Sequence, residues 1–195
     1  MCGRFFINTS INDLIEHYHR SISFTNPTGE IFPSDKALIV NNDGFKIMTW
    51  GFPFGKKLNI NARSESIFEK PLYSKAIHSR RCLIPASLFF EWHNNIKYEI
   101  KVINSDIFSL AGFYSYFYDQ NKNQVERFVI ITTEANADME EIHPRMPLII
   151  HKDFEDIYLN PNIGMDRIKN LLVPDNRIKF NVTPVDGFEQ LVLFK

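Results

Sequence analysis

The sequence predicts an α+β fold: a single domain with a largely antiparallel, barrel-like β-sheet core and short peripheral helices. A chain of 195 residues favours one domain over two, so we expect one domain over residues 1–195. The 44% hydrophobic fraction and 18 phenylalanines can supply its core. Segments typical of strands dominate, and they do not alternate with helices as the strands of a parallel sheet do.

The first half of the chain predicts one helix and a hairpin. Ser10 is a suitable N-cap, and the apolar residues that follow it have helical spacing. Residues 37–40 form a short β-branched run typical of a buried strand. The turn residues 41–44 then lead into a second strand over 45–50, and the segment around Asn61 is predicted as a polar loop.

The second half predicts further antiparallel strands and two helices. Residues 96–102 alternate between apolar and charged side chains, the pattern of a strand with one buried face. The other predicted strands are 107–114, 125–132, 147–151 and 178–182. Short surface helices are predicted over 153–159 and 166–172.

The charge and cysteine counts exclude several classes of protein. With 22 basic and 23 acidic residues the net charge is −1, so a nucleic-acid partner must be held by a local patch. Two cysteines cannot build a disulfide scaffold or a thiolate-rich zinc site. The amino terminus lacks the pattern of a signal peptide, and no apolar run is long enough to span a membrane. We expect a cytoplasmic protein without membrane contact.

Cys2 is the strongest candidate for chemistry. Removal of Met1 would leave a thiol and an α-amine on one carbon framework, and the amine titrates near neutral pH. Such a 1,2-aminothiol attacks an aldehyde through the amine to give an imine, and the thiol then closes a thiazolidine ring. The alternative is an ordinary cysteine that has no chemical role.

Three later residues are candidates to assist Cys2. Asn61 and Arg63 place an amide and a guanidinium two residues apart. Glu91 lies in an apolar, aromatic run, where burial would suit it to general acid or base chemistry; alternatively it faces solvent or pairs with an arginine. His143, between Ile142 and a proline, could move protons near neutral pH or serve only as a structural histidine.

Other residues predict no cofactor site. Cys82 lies in an apolar strand and is expected to pack as a small hydrophobic residue. The histidines show no metal-ligand spacing, and the eight glycines form no phosphate-binding motif, so we predict neither a metal nor a cofactor.

Several segments together resemble the signature motifs of the SRAP (SOS response-associated peptidase) family. In chain order they are Met1-Cys2-Gly3-Arg4-Phe5, Met48-Thr49-Trp50-Gly51-Phe52-Pro53, Asn61-Ala62-Arg63-Ser64-Glu65, Arg81-Cys82-Leu83-Ile84-Pro85-Ala86, Phe90-Glu91-Trp92, Leu110-Ala111-Gly112, Thr132-Thr133-Glu134-Ala135-Asn136 and His143-Pro144-Arg145-Met146-Pro147. Each motif alone is weak, whereas their combination and order are specific.

The resemblance implies the SRAP fold and an enzyme that senses abasic sites in single-stranded DNA. It implies that Cys2 forms a thiazolidine crosslink with the ring-opened sugar after autopeptidase removal of Met1, which shields the lesion. In this scheme Asn61 holds the linkage, Glu91 is the acid/base and His143 assists ring opening, with lyase activity as a further possibility. Residues implied to contact DNA are Arg4, Arg63, Arg145, Phe54, Lys56, Lys57 and Thr133, with Phe54 in place of the family's tryptophan wedge.

Two other functions are compatible with these residues. One is a thiol peptidase that uses Cys2, His143 and Asn61 on peptides. The other is a reader of damaged DNA that binds through its arginines and aromatic residues without a covalent bond. For either DNA function we expect a monomer with no cofactor.

Overall fold

The structure is a computed structural model that describes residues 2–24 and 28–185. It confirms the predicted α+β class with a mostly antiparallel core. The strands are β1 (Arg4–Ile7), β2 (Gly29–Ile31), β3 (Lys36–Asn41), β4 (Gly44–Trp50), β5 (Phe52–Phe54), β6 (Lys57–Asn59), β7 (Asn61–Arg63), β8 (Arg81–Ala86), β9 (Leu88–His93), β10 (Ile96–Val102), β11 (Phe108–Tyr118), β12 (Gln124–Glu134), β13 (Arg145–Pro147), β14 (Ile149–Ile150) and β15 (Phe180–Pro184). The helices are α1 (Ile11–Tyr18), α2 (Pro71–Ser79), α3 (Glu155–Leu159) and α4 (Met165–Leu171).

A closed barrel forms the centre of the fold. Its strands follow the order β12, β4, β3, β8 and β11, and the ring closes because β11 also pairs with β12. All these contacts are antiparallel except the short parallel contact between β12 and β4. Outside this ring, β7 pairs in parallel with residues 130–132 of β12, and β13 pairs in antiparallel orientation with residues 132–134.

A second, five-stranded sheet carries the amino terminus. Its order is β15, β10, β9, β1 and β2, so β1 has a hydrogen-bonded neighbour on each side. The predicted alternating strand over residues 96–102 is confirmed as β10. Because β1 pairs with β9, Arg4 lies opposite Phe90, and Cys2 is brought towards the end of β9 that contains Glu91.

The predicted first helix is confirmed as α1, and its start is explained by a capping box. The Ser10 hydroxyl accepts a hydrogen bond from the main-chain N–H of Asp13 at 3.1 Å. In return, the Asp13 carboxylate accepts from the main-chain N–H of Ser10 at 3.2 Å. The helices predicted over 153–159 and 166–172 are present as α3, with a 3₁₀ turn before it, and α4.

Two local predictions were wrong, and one helix was missed. Residues 147–151 form parts of two short strands, because Leu148 leaves the ladder and its N–H donates to the carbonyl of Ile131. The polar loop at Asn61 is instead the strand β7 followed by a 3₁₀ turn over Ser64–Ser66. The helix α2 was not predicted, although Pro71 at its first turn is a typical helix start.

One buried hydrophobic cluster extends through both sheets. Cys82 lies within it with no exposed surface, as predicted for a core cysteine. Gly112 lets neighbouring barrel strands approach closely, since a Cβ there would lie 2.5 Å from a methyl of Ile84 and 2.7 Å from the carbonyl oxygen of Val129. Among the described helices, none has the length and apolar character required to cross a bilayer.

Candidate active site

Cys2 is buried at the entrance to the central strand of the second sheet. Its side chain has no exposed surface, and its Sγ lies 3.8 Å from the main-chain oxygen of Arg4, to which it donates. Burial raises the pKa of the Cys2 thiol, and the nearby negative charge of Glu91 raises it further. The thiol is therefore neutral near physiological pH. Met1, whose removal the thiazolidine chemistry predicted for Cys2 would require, lies outside the described residues.

Asn61 contacts Cys2 directly. Its side-chain Nδ2 donates a hydrogen bond of 2.9 Å to the main-chain oxygen of Cys2. The backbone around Asn61 is fixed by β12, where Asn61 lies opposite Ile130, and by the Trp50 indole, which donates to the carbonyl of Ile60 at 2.9 Å. The Oδ1 atom of Asn61 is buried and has no hydrogen-bond partner among the described residues.

Glu91 is buried on β9 beside the same segment. It is 6% exposed, which excludes the alternative in which this carboxylate faces solvent. Its Oε1 accepts a hydrogen bond of 3.4 Å from the main-chain N–H of Trp92. The pairing of Arg4 with Phe90 brings Cys2 beside the end of β9 that carries Glu91, and the negative charge of Glu91 raises the pKa of the Cys2 thiol.

His143 lies in the loop that precedes β13. Its Nδ1 lies 3.0 Å from both the main-chain nitrogen and the main-chain oxygen of Arg145, so Nδ1 has a hydrogen-bond partner in either tautomer of the ring. The carbonyl of the adjacent Ile142 lies 3.1 Å from Nδ1 of His93, at the end of β9. This contact joins the His143 loop to the strand that carries Glu91. The structure thus brings Cys2, Asn61 and Glu91 together directly and links His143 through its loop.

Arg4 belongs to a cluster of charges and aromatic rings. Its Nη1 lies 3.3 Å from Glu30, and its guanidinium lies over the rings of Phe32 and Trp92 at 4.7 and 5.0 Å. Lys97 also pairs with Glu30, at 3.4 Å. Sequence analysis missed Glu30 and Lys97, because only the pairing of β2, β1, β9 and β10 brings them beside Arg4.

The other predicted DNA contacts differ in their accessibility. Arg63 is exposed at the end of β7. Arg145 makes a bidentate contact with Glu65, at 3.1 and 3.0 Å, and its Nε is buried with no hydrogen-bond partner within the described chain. Thr133 is only 3% exposed, because it lies inside the ladder opposite Met146. We therefore no longer expect Thr133 to contact DNA directly.

Phe54, Lys56 and Lys57 form the tip of the β5–β6 hairpin. Phe54 is 70% exposed, and both lysines are exposed. The hairpin is anchored by Phe52, whose ring packs 4.9 Å from that of Phe117. Since β6 ends two residues before Asn61, the exposed aromatic ring and the two charges are carried on the segment that leads into the active site.

A large cavity lies away from this site. It measures about 1140 Å³ and is lined by residues at the opposite end of β1 from Cys2, including Phe6, Asn8, Ser87 and Leu88. No site residue predicted from the sequence lines it. Across residues 2–24 and 28–185, no group of three or more His, Cys, Asp or Glu side chains could hold a metal ion.

Comparison with known proteins identifies similar sequences over most of the chain. The family model for "SOS response associated peptidase (SRAP)" matches residues 1–188. The abasic site processing protein YoaM of Bacillus subtilis is 35% identical, covering 89% of this chain and 86% of its own. The abasic site processing protein YoqW of Bacillus phage SPbeta is 36% identical, covering 89% of this chain and 87% of its own.

Solved structures share the fold. A protein from Bacteroides thetaiotaomicron superposes with a TM-score of 0.84 at 27% identity, covering 95% of this chain and 93% of that one. A protein from Bordetella bronchiseptica gives 0.83 at 16% identity, covering 95% of this chain and all 100% of its own.

Proposed function

The chain belongs to the SOS response associated peptidase (SRAP) family, and we propose that it processes abasic sites in single-stranded DNA by capturing them covalently through Cys2. The observation that carries this proposal is the convergence on Cys2 of a hydrogen-bond donor, Asn61, and a buried carboxylate, Glu91. An aminothiol needs both, because its amine must be held in place and must exchange protons.

The reaction begins with removal of Met1, which consumes one water and exposes the α-amine of Cys2. The amine attacks the C1′ aldehyde of the ring-opened sugar, and loss of one water from the resulting carbinolamine gives an imine. The thiol then adds to the imine carbon: the C–S bond forms, and the thiol proton passes to the imine nitrogen. The product is a thiazolidine, formed with the net loss of one water from protein and DNA.

Each side chain has a distinct role in these steps. The Glu91 carboxylate accepts a proton from the amine and returns it to the departing hydroxyl of the carbinolamine. An abasic sugar is mainly a closed hemiacetal, and the His143 imidazole, whose loop is joined to the strand of Glu91, would protonate the ring oxygen during opening. The Oδ1 atom of Asn61, which is buried without a described partner, would accept from the amine of the processed cysteine.

A neutral thiol fits this order of events. Capture begins at the amine, so no thiolate is needed until the imine has formed. A cysteine peptidase, in contrast, depends on a thiolate whose pKa is lowered by a neighbouring imidazolium. The pKa of the Cys2 thiol is raised, which argues against the alternative of a thiol peptidase acting on peptides.

We propose that the DNA strand is held by local charges around the site, since the net charge of the chain is −1. Arg63, Lys56 and Lys57 are exposed for phosphate contacts, and Phe54 is exposed for stacking on a base. Arg4 and Arg145 would also contact the strand. Each of them is ion-paired in the free protein, Arg4 with Glu30 and Arg145 with Glu65. The protein would act as a monomer in the cytoplasm, on the DNA there, without a cofactor.

The test is incubation of the purified protein with a single-stranded oligonucleotide that contains one abasic site. We expect an adduct that survives heating, with a mass equal to the Met1-free protein plus the oligonucleotide minus one water. Cys82→Ala is the matched control and should give the same adduct, because Cys82 lies in the core. An equally stable adduct from Cys2→Ala would overturn the proposal. Tight lesion binding by wild type without any covalent product would favour the non-covalent reader.

A further inference from the structure

One face of the second sheet carries Arg4, Glu30 and Lys97 together. Successive side chains of a strand point to opposite faces of the sheet, and residues paired across two strands point to the same face. Arg4 pairs with Phe90, and Glu30 pairs with the residue two positions beyond Arg4. Lys97 pairs with the residue two positions beyond Phe90. The three charged side chains therefore share one face, and Arg4 is two residues along the chain from Cys2.

One carboxylate oxygen accepts from both cations. Oε1 of Glu30 lies 3.3 Å from Nη1 of Arg4 and 3.4 Å from Nζ of Lys97. Glu99, further along β10, forms its ion pair with Lys101 at 3.9 Å. Two cations and one anion leave the group of Arg4, Lys97 and Glu30 with a net charge of +1. A backbone phosphate is also an anionic oxygen acceptor, so it could take the place of the carboxylate between Arg4 and Lys97.

Aromatic rings hold the two cations independently of Glu30. Nζ of Lys97 lies 4.0 Å from the centre of the Phe90 ring. The guanidinium of Arg4 lies over the rings of Phe32 and Trp92 at 4.7 and 5.0 Å. Removal of the Glu30 carboxylate should therefore leave both cations in position, with their charges free for another anion.

We propose that Glu30 is a specificity-determining residue: in the protein without DNA, its carboxylate occupies the position of a strand phosphate between Arg4 and Lys97 and so weakens the binding of undamaged DNA. This inference rests on the proposed function for the nature of the partner, and it adds Lys97 as a second phosphate contact beside Arg4. In the proposed reaction an abasic site is retained by a covalent bond, so weak contacts to the strand do not impair capture. The same weak contacts let the protein leave DNA that has no lesion.

The experiment measures the Kd of an undamaged single-stranded oligonucleotide at several salt concentrations by fluorescence titration. The variants are Glu30→Gln, Lys97→Gln and the double variant, all in a Cys2→Ala background so that no covalent step contributes. Glu126→Gln is the matched control, because its carboxylate also pairs with a lysine, Lys46, at 3.5 Å, and its side chain is as exposed as that of Glu30, at 26%. Thermal melting verifies that each variant is folded.

We expect Glu30→Gln to bind the undamaged strand about fivefold more tightly, because Arg4 and Lys97 then face a phosphate without a competing carboxylate. The slope of log Kobs against log salt should become steeper by about 0.7, the value for one further phosphate contact on a single strand. Lys97→Gln should weaken binding and make the slope shallower by about 0.7. The double variant should resemble its Cys2→Ala parent, because the loss of one anion and one cation restores the local net charge.

Unchanged, weaker or undetectable binding by Glu30→Gln would overturn the proposal, since the carboxylate would then serve only to hold Arg4 and Lys97. An equal gain in affinity in Glu126→Gln, or an unchanged salt slope in Lys97→Gln, would overturn it as well. Failure of the proposed function would be visible separately, as the absence of a Cys2-dependent adduct when wild type is incubated with an abasic oligonucleotide.

Discussion

The side-chain amide of Asn61 donates a hydrogen bond of 2.9 Å to the main-chain oxygen of Cys2, across 59 positions of sequence. This bond connects the second sheet, which carries Cys2, to the strand β7 beside the barrel. The position of the reactive residue therefore depends on how the two sheets pack, and substitutions at Asn61 should affect chemistry more than folding.

Asn61→Asp should slow crosslinking because an ionised carboxylate cannot donate to the Cys2 carbonyl. Loss of a hydrogen bond that leaves a buried carbonyl unsatisfied costs about 1 to 3 kcal/mol, which corresponds to a rate roughly 5 to 150 times lower. Single-turnover crosslinking rates measure the effect, and thermal melting verifies the fold. The exposed Asn170→Asp on α4 is the control. A wild-type rate for Asn61→Asp would show that this bond does not position Cys2.

The Cys2 thiol should resist alkylation at neutral pH, because burial and the charge of Glu91 raise its pKa. Glu91→Gln removes the charge and should speed labelling of Cys2 in timed reactions followed by mass spectrometry. Cys82 is an internal reference, since the pKa of its thiol is raised by burial alone. If Glu91→Gln speeds the labelling of Cys82 as much as that of Cys2, the fold has become looser in general. That outcome would contradict a direct effect of Glu91 on Cys2.

The protein should lose stability as the pH rises above about 8.5, where thiols of the unfolded chain ionise while the buried thiols stay protonated. A raised pKa in the folded state contributes stability that is present below the unfolded pKa and is lost at higher pH. Each thiol should lower the free energy of unfolding by about 1 kcal/mol between pH 8 and 9.5. Urea unfolding of wild type and Cys82→Ala measures this, and the variant should show the shallower decline. An equal decline of the free energy of unfolding in wild type and Cys82→Ala would contradict the conclusion that the Cys82 thiol stays protonated in the folded protein.

Phe54→Ala should weaken binding of single-stranded DNA without affecting stability, because Phe54 is 70% exposed. Stacking of a base on an aromatic ring contributes about 1 to 3 kcal/mol, so Kd should rise by about 5- to 150-fold. Fluorescence titrations in a Cys2→Ala background isolate the non-covalent step. Val173→Ala removes another exposed apolar side chain and should leave Kd unchanged. Equal affinities for Phe54→Ala and its parent would show that the hairpin tip does not contact the DNA.

Arg63→Gln and Lys57→Gln should reduce the salt dependence of DNA binding. For single strands, the slope of log Kobs against log salt changes by about 0.7 for each phosphate contact that is lost. Titrations at several salt concentrations give the slope directly. Lys169→Gln is the control, because Lys169 pairs with Asp166 on α4. If the variants bind DNA more weakly but the slope is unchanged, Arg63 and Lys57 do not contact phosphates.

The sequence predicted the elements that have a strong local pattern. The alternation in β10 and the capping residue of α1 are local signals, and both elements are present. The strand β7 has only three residues, too few for a period to be recognised, so its parallel pairing with β12 was not predicted. The apolar surroundings of Glu91 in the sequence correctly indicated burial.

Long-range partners could not be read from the sequence. The partner of Arg145 is Glu65, 80 positions away, and only the fold brings the two side chains together. Thr133 was predicted to contact DNA because it lies in a family motif. It is buried because it pairs with Met146 of β13, and no local pattern in the sequence predicts that register. Residue types thus indicated the chemistry, whereas tertiary pairing determines which charges are available to DNA.

The central position of β1 in its sheet has a consequence for biosynthesis. Cys2 can be enclosed only after its neighbour β9 has been made, and β9 ends at His93. At a synthesis rate of about 5 to 20 residues per second, the ribosome needs roughly 5 to 20 s to reach that point. Throughout this interval the main chain at Cys2 lacks its β9 neighbour, so any amino-terminal processing that needs an open chain must take place before the sheet is complete. A change that slows or speeds translation between β1 and β9 should therefore alter the fraction of molecules whose amino-terminal processing is finished.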